Sequence, residues 1–206
     1  MTAPTRESWR SGNPESRALR RARLLRAGVL LVAGIVITFT ATLHRDAAFD
    51  RWLLCASLIA IGLATGVEFL AVRATPASWL VAARAALALV AGIAVLITTS
   101  AAATSFTLAI WAASSVLIAV IRITQGSQDR SVAVPSALLS GALALLILLF
   151  RDDLIAVIGF FGAYAIVRAV FLGISAFDTR GTAPLDLDQI EPGDDGARRP
   201  PPSSML

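Results

Sequence analysis

The stretch AALALVAGIAVLITTSAAATSFTLAIWAASSVLIAVI, residues 85–121, decides the fold of this 206-residue chain. None of its 37 residues is charged. A single helix of that length would be about 55 Å long, whereas the hydrocarbon core of a bilayer is about 30 Å thick. Large aliphatic residues disappear at 98–105, which read TTSAAATS, so we expect two membrane-spanning helices joined by a turn there.

The composition of the whole chain is that of a membrane protein. Hydrophobic residues make up 56% and charged residues only 16% of the sequence, whereas soluble domains carry about 25% charge. Further uncharged runs cover 27–43, 52–67 and 131–150, and a last apolar stretch begins at residue 154. We therefore predict an all-α integral membrane protein with six transmembrane helices, near residues 24–43, 52–72, 78–98, 105–123, 132–150 and 154–175.

The rarity of reactive side chains excludes several classes of protein. All 18 basic residues are arginine, and the chain has one histidine and one cysteine, so disulfide scaffolds, zinc sites and histidine-pair metal centres are excluded. The sequence also has no phosphate-binding loop, paired catalytic carboxylates, nucleophile triad or nucleotide fingerprint. We predict a non-enzymatic protein with no catalytic residue, no cofactor and no metal.

The two ends of the chain differ in charge. Residues 1–23 are rich in arginine and are predicted to form a basic cytoplasmic tail, while 176–206 carry acids and five prolines and are predicted to be a disordered cytoplasmic tail. A charged region of this length before the first span is atypical of a cleaved signal peptide. Arginine is far commoner in the segments on the side of the two ends, which predicts that both termini are cytoplasmic. Attraction to anionic lipid explains the basic tail better than nucleic acid does.

An internal repeat divides the span region into three helical hairpins of roughly fifty residues. In the first helix of each hairpin the corresponding residues are Arg26 and Gly34, Arg84 and Gly92, and Ala133 and Gly141. In the second helices the corresponding residues are Gly62 and Glu68, Ala112 and Ile118, and Gly162 and Arg168.

This pattern resembles a known family of membrane proteins. Its marks are RAGVL at 26–30, RAAL at 84–87, Gly-Ile pairs at 34–35 and 92–93, and FGAYAIVRAVF at 161–171. Over about 24–175 the chain resembles the HdeD-like acid-resistance membrane proteins. The resemblance implies a multi-pass protein of the bacterial inner membrane associated with acid or general stress. A small transporter or channel, and an accessory subunit of a larger membrane complex, are the alternatives.

Four charged side chains fall within the predicted spans or at their edges: Arg26, Glu68, Arg84 and Arg168. A charge at mid-helix costs roughly 2.5–3.5 kcal/mol on insertion scales, so each requires an explanation. Glu68 and Arg84 lie at similar depth on either side of one short loop, and we predict that they form an ion pair. The alternatives are snorkelling to the headgroups without a function, a basic collar that binds anionic membrane lipids, or a role in permeation or proton relay.

Two further features concern helix packing. Gly62 and Gly66 form a GxxxG motif, which serves close helix contact either within the chain or in a homo-oligomer. A partner membrane protein is also compatible with the sequence. Pro135 is predicted in the first turn of the fifth span, where its missing N–H costs little.

Overall fold

The computed structural model describes residues 14–40, 46–73, 78–124 and 130–177, and these form six helices without a strand. The helices are α1 (Pro14–Phe39), α2 (Ala47–Val72), α3 (Ser78–Ile97), α4 (Ala101–Thr124), α5 (Arg130–Leu149) and α6 (Leu154–Phe177). Five are long and apolar enough to cross a bilayer, and the apolar part of α5, Ala133–Leu149, is shorter. The chain therefore folds as an all-helical, multi-pass membrane protein.

The first helix begins earlier than its hydropathy predicts. It starts at Pro14 instead of residue 24, so residues 14–23 are not part of a tail. The reason is packing, because Ala22 is buried and the Arg20 guanidinium lies 4.8 Å from the centre of the Phe177 ring on α6. The remaining parts of both predicted tails, 1–13 and 178–206, lie outside the described residues, and so does the predicted disorder of the second tail.

The fifth helix also differs from its predicted start. It begins at Arg130, so Pro135 is its sixth residue and not part of its first turn. The helix thus begins two residues before its predicted start and includes Arg130, which precedes the uncharged run 131–150.

The six helices form a closed ring. Each packs against its two neighbours in the sequence, and α1 closes the ring by packing against α6. The tightest interfaces are α2–α3, α4–α5 and α1–α6, while α5–α6 is the loosest interface between neighbours. We call the end of the ring that holds the start of α1 and the end of α6 the terminal end. The opposite end, where the α3–α4 and α5–α6 turns lie, is the turn end.

Side chains fix the helix starts at the turn end. Asp46 accepts a hydrogen bond from the Ala48 amide at 2.8 Å, and Ser100 and Asp153 cap the starts of α4 and α6 in the same way. The Ser105 hydroxyl donates to the Arg151 carbonyl at 2.8 Å, which links the start of α4 to the α5–α6 turn. These contacts cap three helix starts and join α4 to the α5–α6 turn.

Apolar side chains fill the core on the turn-end side. Leu58, Leu108 and Phe161 are fully buried, and the Trp111 ring lies 5.9 Å from the Phe161 ring. Many large apolar side chains point outward instead, as expected of a protein whose surroundings are hydrocarbon. The described core therefore contains a layer of buried apolar side chains on the turn-end side of the ring.

Two helix interfaces depend on glycine. A Cβ atom on Gly34 would lie 2.9 Å from the carbonyl oxygen of Gly162, so α1 and α6 approach closely there. A Cβ atom on Gly62 would lie 2.8 Å from the Leu89 side chain of α3, whereas one on Gly66 would meet nothing within 4 Å. Of the GxxxG pair, Gly62 thus serves packing within the chain, and Gly66 makes no close contact of this kind.

We expect Gly34→Ala to destabilise the ring by about 1–3 kcal/mol, because the added methyl group meets backbone atoms that cannot turn aside. Gly28→Ala on the same helix is the matched control, since a Cβ atom there meets nothing within 4 Å. The measurement is thermal unfolding in detergent micelles. The control should be unchanged or slightly stabilised, since alanine favours a helix. Equal unfolding temperatures for both variants would contradict the close approach of α1 and α6.

Candidate functional site: a buried arginine cluster

Three arginines lie at one level of the ring. Arg26 and Arg84 each precede the turn-end terminus of their helix by 13 residues, and Arg168 follows the start of α6 by 14. At 1.5 Å per residue, all three Cα atoms are about 20 Å from the turn end. Glu68 lies four residues before the end of α2, nearer the terminal end. The four charges predicted from the sequence therefore occupy the terminal half of the ring.

Glu68 forms its ion pair with Arg26. The Arg26 Nη1 atom donates to Glu68 Oε2 at 2.7 Å, and the two residues are only 5% and 8% exposed. Side chains lean toward the start of their own helix, so these two, on antiparallel helices, lean toward each other. The prediction that Glu68 forms an ion pair with Arg84 is therefore wrong. That prediction placed Arg26 near the start of a span that began at residue 24, whereas α1 begins at Pro14 and Arg26 lies at its middle.

Arg168 is held by hydroxyl groups. Its Nη2 atom donates to Ser136 Oγ and its Nη1 atom to Ser140 Oγ, both at 3.0 Å, and Nη1 also donates to the Tyr164 hydroxyl. The guanidinium carbon lies 5.4 Å from the centre of the Tyr164 ring. Arg168 is 4% exposed, and no carboxylate of the described residues lies within ion-pair distance of it. Its charge is thus buried among neutral partners.

Arg84 lies between these two arrangements. It is partly buried, and its guanidinium interacts electrostatically with Glu68 and with Tyr164. It is also close enough to Arg26 for the two positive charges to oppose each other. We call Arg26, Glu68, Arg84, Tyr164 and Arg168 the polar cluster. Within it, three guanidinium groups face a single carboxylate.

The polar cluster and its surroundings have more donors than acceptors. Arginine has five N–H groups and no acceptor, and tryptophan has one N–H group and no acceptor. Two buried side-chain atoms of the described residues have no hydrogen-bond partner, Arg26 Nε and Trp111 Nε1, and both are donors. Buried polar groups are normally satisfied, so two unpaired donors beside surplus positive charge indicate a site suited to an acceptor. The chemistry that fits it is an anion.

The burial of the polar cluster argues against snorkelling, one of the alternatives that the sequence left open for these charges. Arg26, Glu68 and Arg168 lie inside the ring and do not extend along the surface toward lipid headgroups, as snorkelling side chains would.

The sequence prediction of the site did not include Tyr164, Ser136 and Ser140. The signal was present, since Ser136 and Ser140, and likewise Tyr164 and Arg168, are four residues apart and so share a helix face.

The described residues contain no candidate metal site. No group of three or more histidine, cysteine, aspartate or glutamate side chains among them could hold a metal ion. Among these residues, the polar cluster can bind a ligand only through its charges and its hydrogen-bonding groups.

The stability of Glu68 variants should show which arginine is the ion-pair partner of Glu68. We expect Glu68→Leu to cost about 3–5 kcal/mol of stability, because it leaves Arg26 buried without its counter-charge. Adding Arg26→Leu should recover most of the loss, and adding Arg84→Leu should recover little. Unfolding in detergent measures all three variants.

Asp152→Ala is the control for that series, because it breaks the exposed pair of Asp152 with Arg151 at 3.5 Å. Exposed pairs contribute about 0–1 kcal/mol. A larger recovery with Arg84→Leu than with Arg26→Leu would contradict the pairing described above.

The chain was compared with known proteins by sequence and by structure. No protein-family profile, curated protein or solved structure matches it.

Proposed function

We propose that this protein is a non-enzymatic, multi-pass protein of the bacterial cytoplasmic membrane that binds anionic lipid through its polar cluster. The observation that carries the proposal is the excess of positive charge, since Glu68 is the one carboxylate in the cluster with Arg26, Arg84 and Arg168, and the Arg26 Nε atom has no acceptor in the described chain. An anionic head would supply both the missing charge and the missing acceptors. Hydrogen bonds of this charge-assisted kind are roughly twice as strong as neutral ones.

The surroundings of the cluster favour binding over conduction. On its turn-end side, the fully buried Leu58, Leu108 and Phe161 form an apolar layer. A proton or ion path would ordinarily use several ionisable groups along the membrane normal. Of the four charged residues buried in the described chain, Arg26, Glu68 and Arg168 lie together and only Asp50 lies at the turn end, which supports a binding site rather than a small transporter or channel.

The distribution of arginine supports an orientation with both termini in the cytoplasm. At the terminal end of the described chain, the arginines outside the polar cluster are Arg17, Arg20, Arg21, Arg23, Arg73, Arg122 and Arg130. At the turn end they are Arg51 and Arg151. Short loops rich in arginine stay on the cytoplasmic side. In this orientation the cluster lies in the inner leaflet, where anionic lipids are abundant.

We also propose that the ring consists of three repeated hairpins, as in the HdeD-like proteins that the sequence resembles, and that it shares their association with acid or general stress. The packing supports the repeat, because the three tightest interfaces each join one proposed hairpin to the next. Two of them contain repeat glycines at the closest approach, Gly34 and Gly162 at the α1–α6 interface and Gly62 and Gly92 at the α2–α3 interface. At the third, a Cβ atom on Gly141 would lie 3.8 Å from the Val116 side chain.

Lipid binding is tested with the full chain in phosphatidylcholine nanodiscs. We expect stabilisation when either phosphatidylglycerol or oleate is added, because either supplies an anionic head to the cluster. The increase in unfolding temperature should shrink to half or less in Arg84→Gln and Arg168→Gln. Arg151→Gln, which removes an exposed arginine at the turn end, is the matched control. No stabilisation by either anionic amphiphile, or equal stabilisation of all variants, would refute the proposal.

The stress role is tested in cells. A deletion strain should lose at least ten-fold in survival after acid shock, and the wild-type gene should restore it. The Arg168→Gln gene, expressed at equal membrane abundance, should restore it poorly, because the buried charge that would hold the anion is gone. Full survival of the deletion strain would remove the stress role and leave lipid binding to be judged in nanodiscs.

A further inference from the structure

A cavity beside Arg168 lies between α5 and α6, at the loosest interface of the ring. Its volume is about 410 Å³, within the range of pockets that hold small molecules. The walls are mostly apolar, with Leu138 and Leu139 from α5 and Phe171 from α6. The polar side chains that line it are Ser136 and Arg168. The cavity is thus mostly apolar, and Arg168 is the one charged residue of the described chain that lines it.

The cavity opens toward the lipid. Leu138 and Val167 line it and are 70% and 52% exposed, and in a membrane this exposed surface contacts hydrocarbon. Arg168 itself is 4% exposed and is bonded to Ser136 at 3.0 Å. The occupant therefore has to enter sideways from the bilayer and needs an apolar body with an anionic end.

The depth of Arg168 selects among anionic amphiphiles. The residue lies nine positions before the end of α6, which is about 14 Å along the helix. Since α6 has 24 residues and is about 36 Å long, Arg168 lies roughly 10 Å inside a hydrocarbon core of about 30 Å. The phosphate of a phospholipid is attached through glycerol to a second chain and would have to be drawn to that depth. A carboxylate that ends a single chain has no such attachment.

We propose that the cavity binds a free long-chain fatty acid, with its carboxylate at Arg168 and its chain along the apolar walls. This rests on the proposed function and names the lipid class of that same site. A carboxylate accepts two parallel hydrogen bonds from a guanidinium group, a geometry that the hydroxyl partners do not satisfy. Ser136, already bonded to Arg168, is the second polar group beside the head.

The test uses the full chain in phosphatidylcholine nanodiscs and measures binding of oleate. Hexanoate supplies the head with a short chain, and methyl oleate supplies the chain without a charge. We expect oleate to bind at least ten-fold more tightly than either. Arg168→Gln should lower the oleate affinity at least ten-fold, Arg168→Lys should recover part of it, and methyl oleate should bind both variants equally.

A second variant tests the cavity itself. Ala142 lines it, so Ala142→Phe should fill it and lower the oleate affinity at least ten-fold. Ala163→Phe is the control, because Ala163 is exposed on α6 and does not line the cavity. Unchanged oleate binding in a folded Ala142→Phe protein would overturn the proposal.

Photocrosslinking of the wild-type chain tests the same site without a variant. A fatty acid with a diazirine in mid-chain should label residues within 135–142 and 167–172. Labelling confined to other helices would overturn the proposal. Stabilisation by phosphatidylglycerol with no oleate binding would overturn the fatty-acid assignment and leave the proposed function standing. Failure of both amphiphiles would refute the two together.

Discussion

The constraint on which this structure depends is that a guanidinium group inside a membrane protein must find acceptors within the protein. Water is absent from the bilayer core, and an unpaired buried charge costs several kcal/mol. Arg26 meets the constraint through Glu68 on the neighbouring helix, and Arg168 meets it in part through hydroxyl groups on α5 and α6. These contacts fix the depth of α1 relative to α2 and the rotation of α5 and α6 about their own axes.

The two halves of the ring are held together by different interactions. In the turn-end half, helix caps and close apolar packing dominate, with Phe161 and Leu58 fully buried. In the terminal half, charge and hydrogen bonding dominate, and the α5–α6 interface is open enough to contain a cavity. The loosest interface between neighbours therefore lies beside Arg168, which has hydroxyl partners but no carboxylate within ion-pair distance among the described residues.

Hydropathy predicted the helices well and the ion pair poorly. Uncharged runs have the length of a bilayer crossing. The break lies within the predicted 98–105 but is shorter, because α3 ends at Ile97 and α4 begins at Ala101, four residues before its predicted start. The start of α1 was missed because arginines lower the hydropathy even where a helix continues and packs against α6. The partner of Glu68 was missed because loop length and depth describe neighbours in sequence, whereas the side-chain directions of α1 and α2 decide which arginine the carboxylate meets.

An anion bound at Arg168 would act on more than one helix. Its charge would compensate a guanidinium that now depends on hydroxyl groups of α5 and α6. The effect would reach Arg84 through Tyr164, because Arg168 donates to that hydroxyl and Arg84 on α3 lies close enough to interact with it electrostatically. Arg84 in turn opposes Arg26, the partner of Glu68. An anion in the lipid-facing cavity would therefore change the electrostatic surroundings of the α1–α2 ion pair as well as those of Arg168.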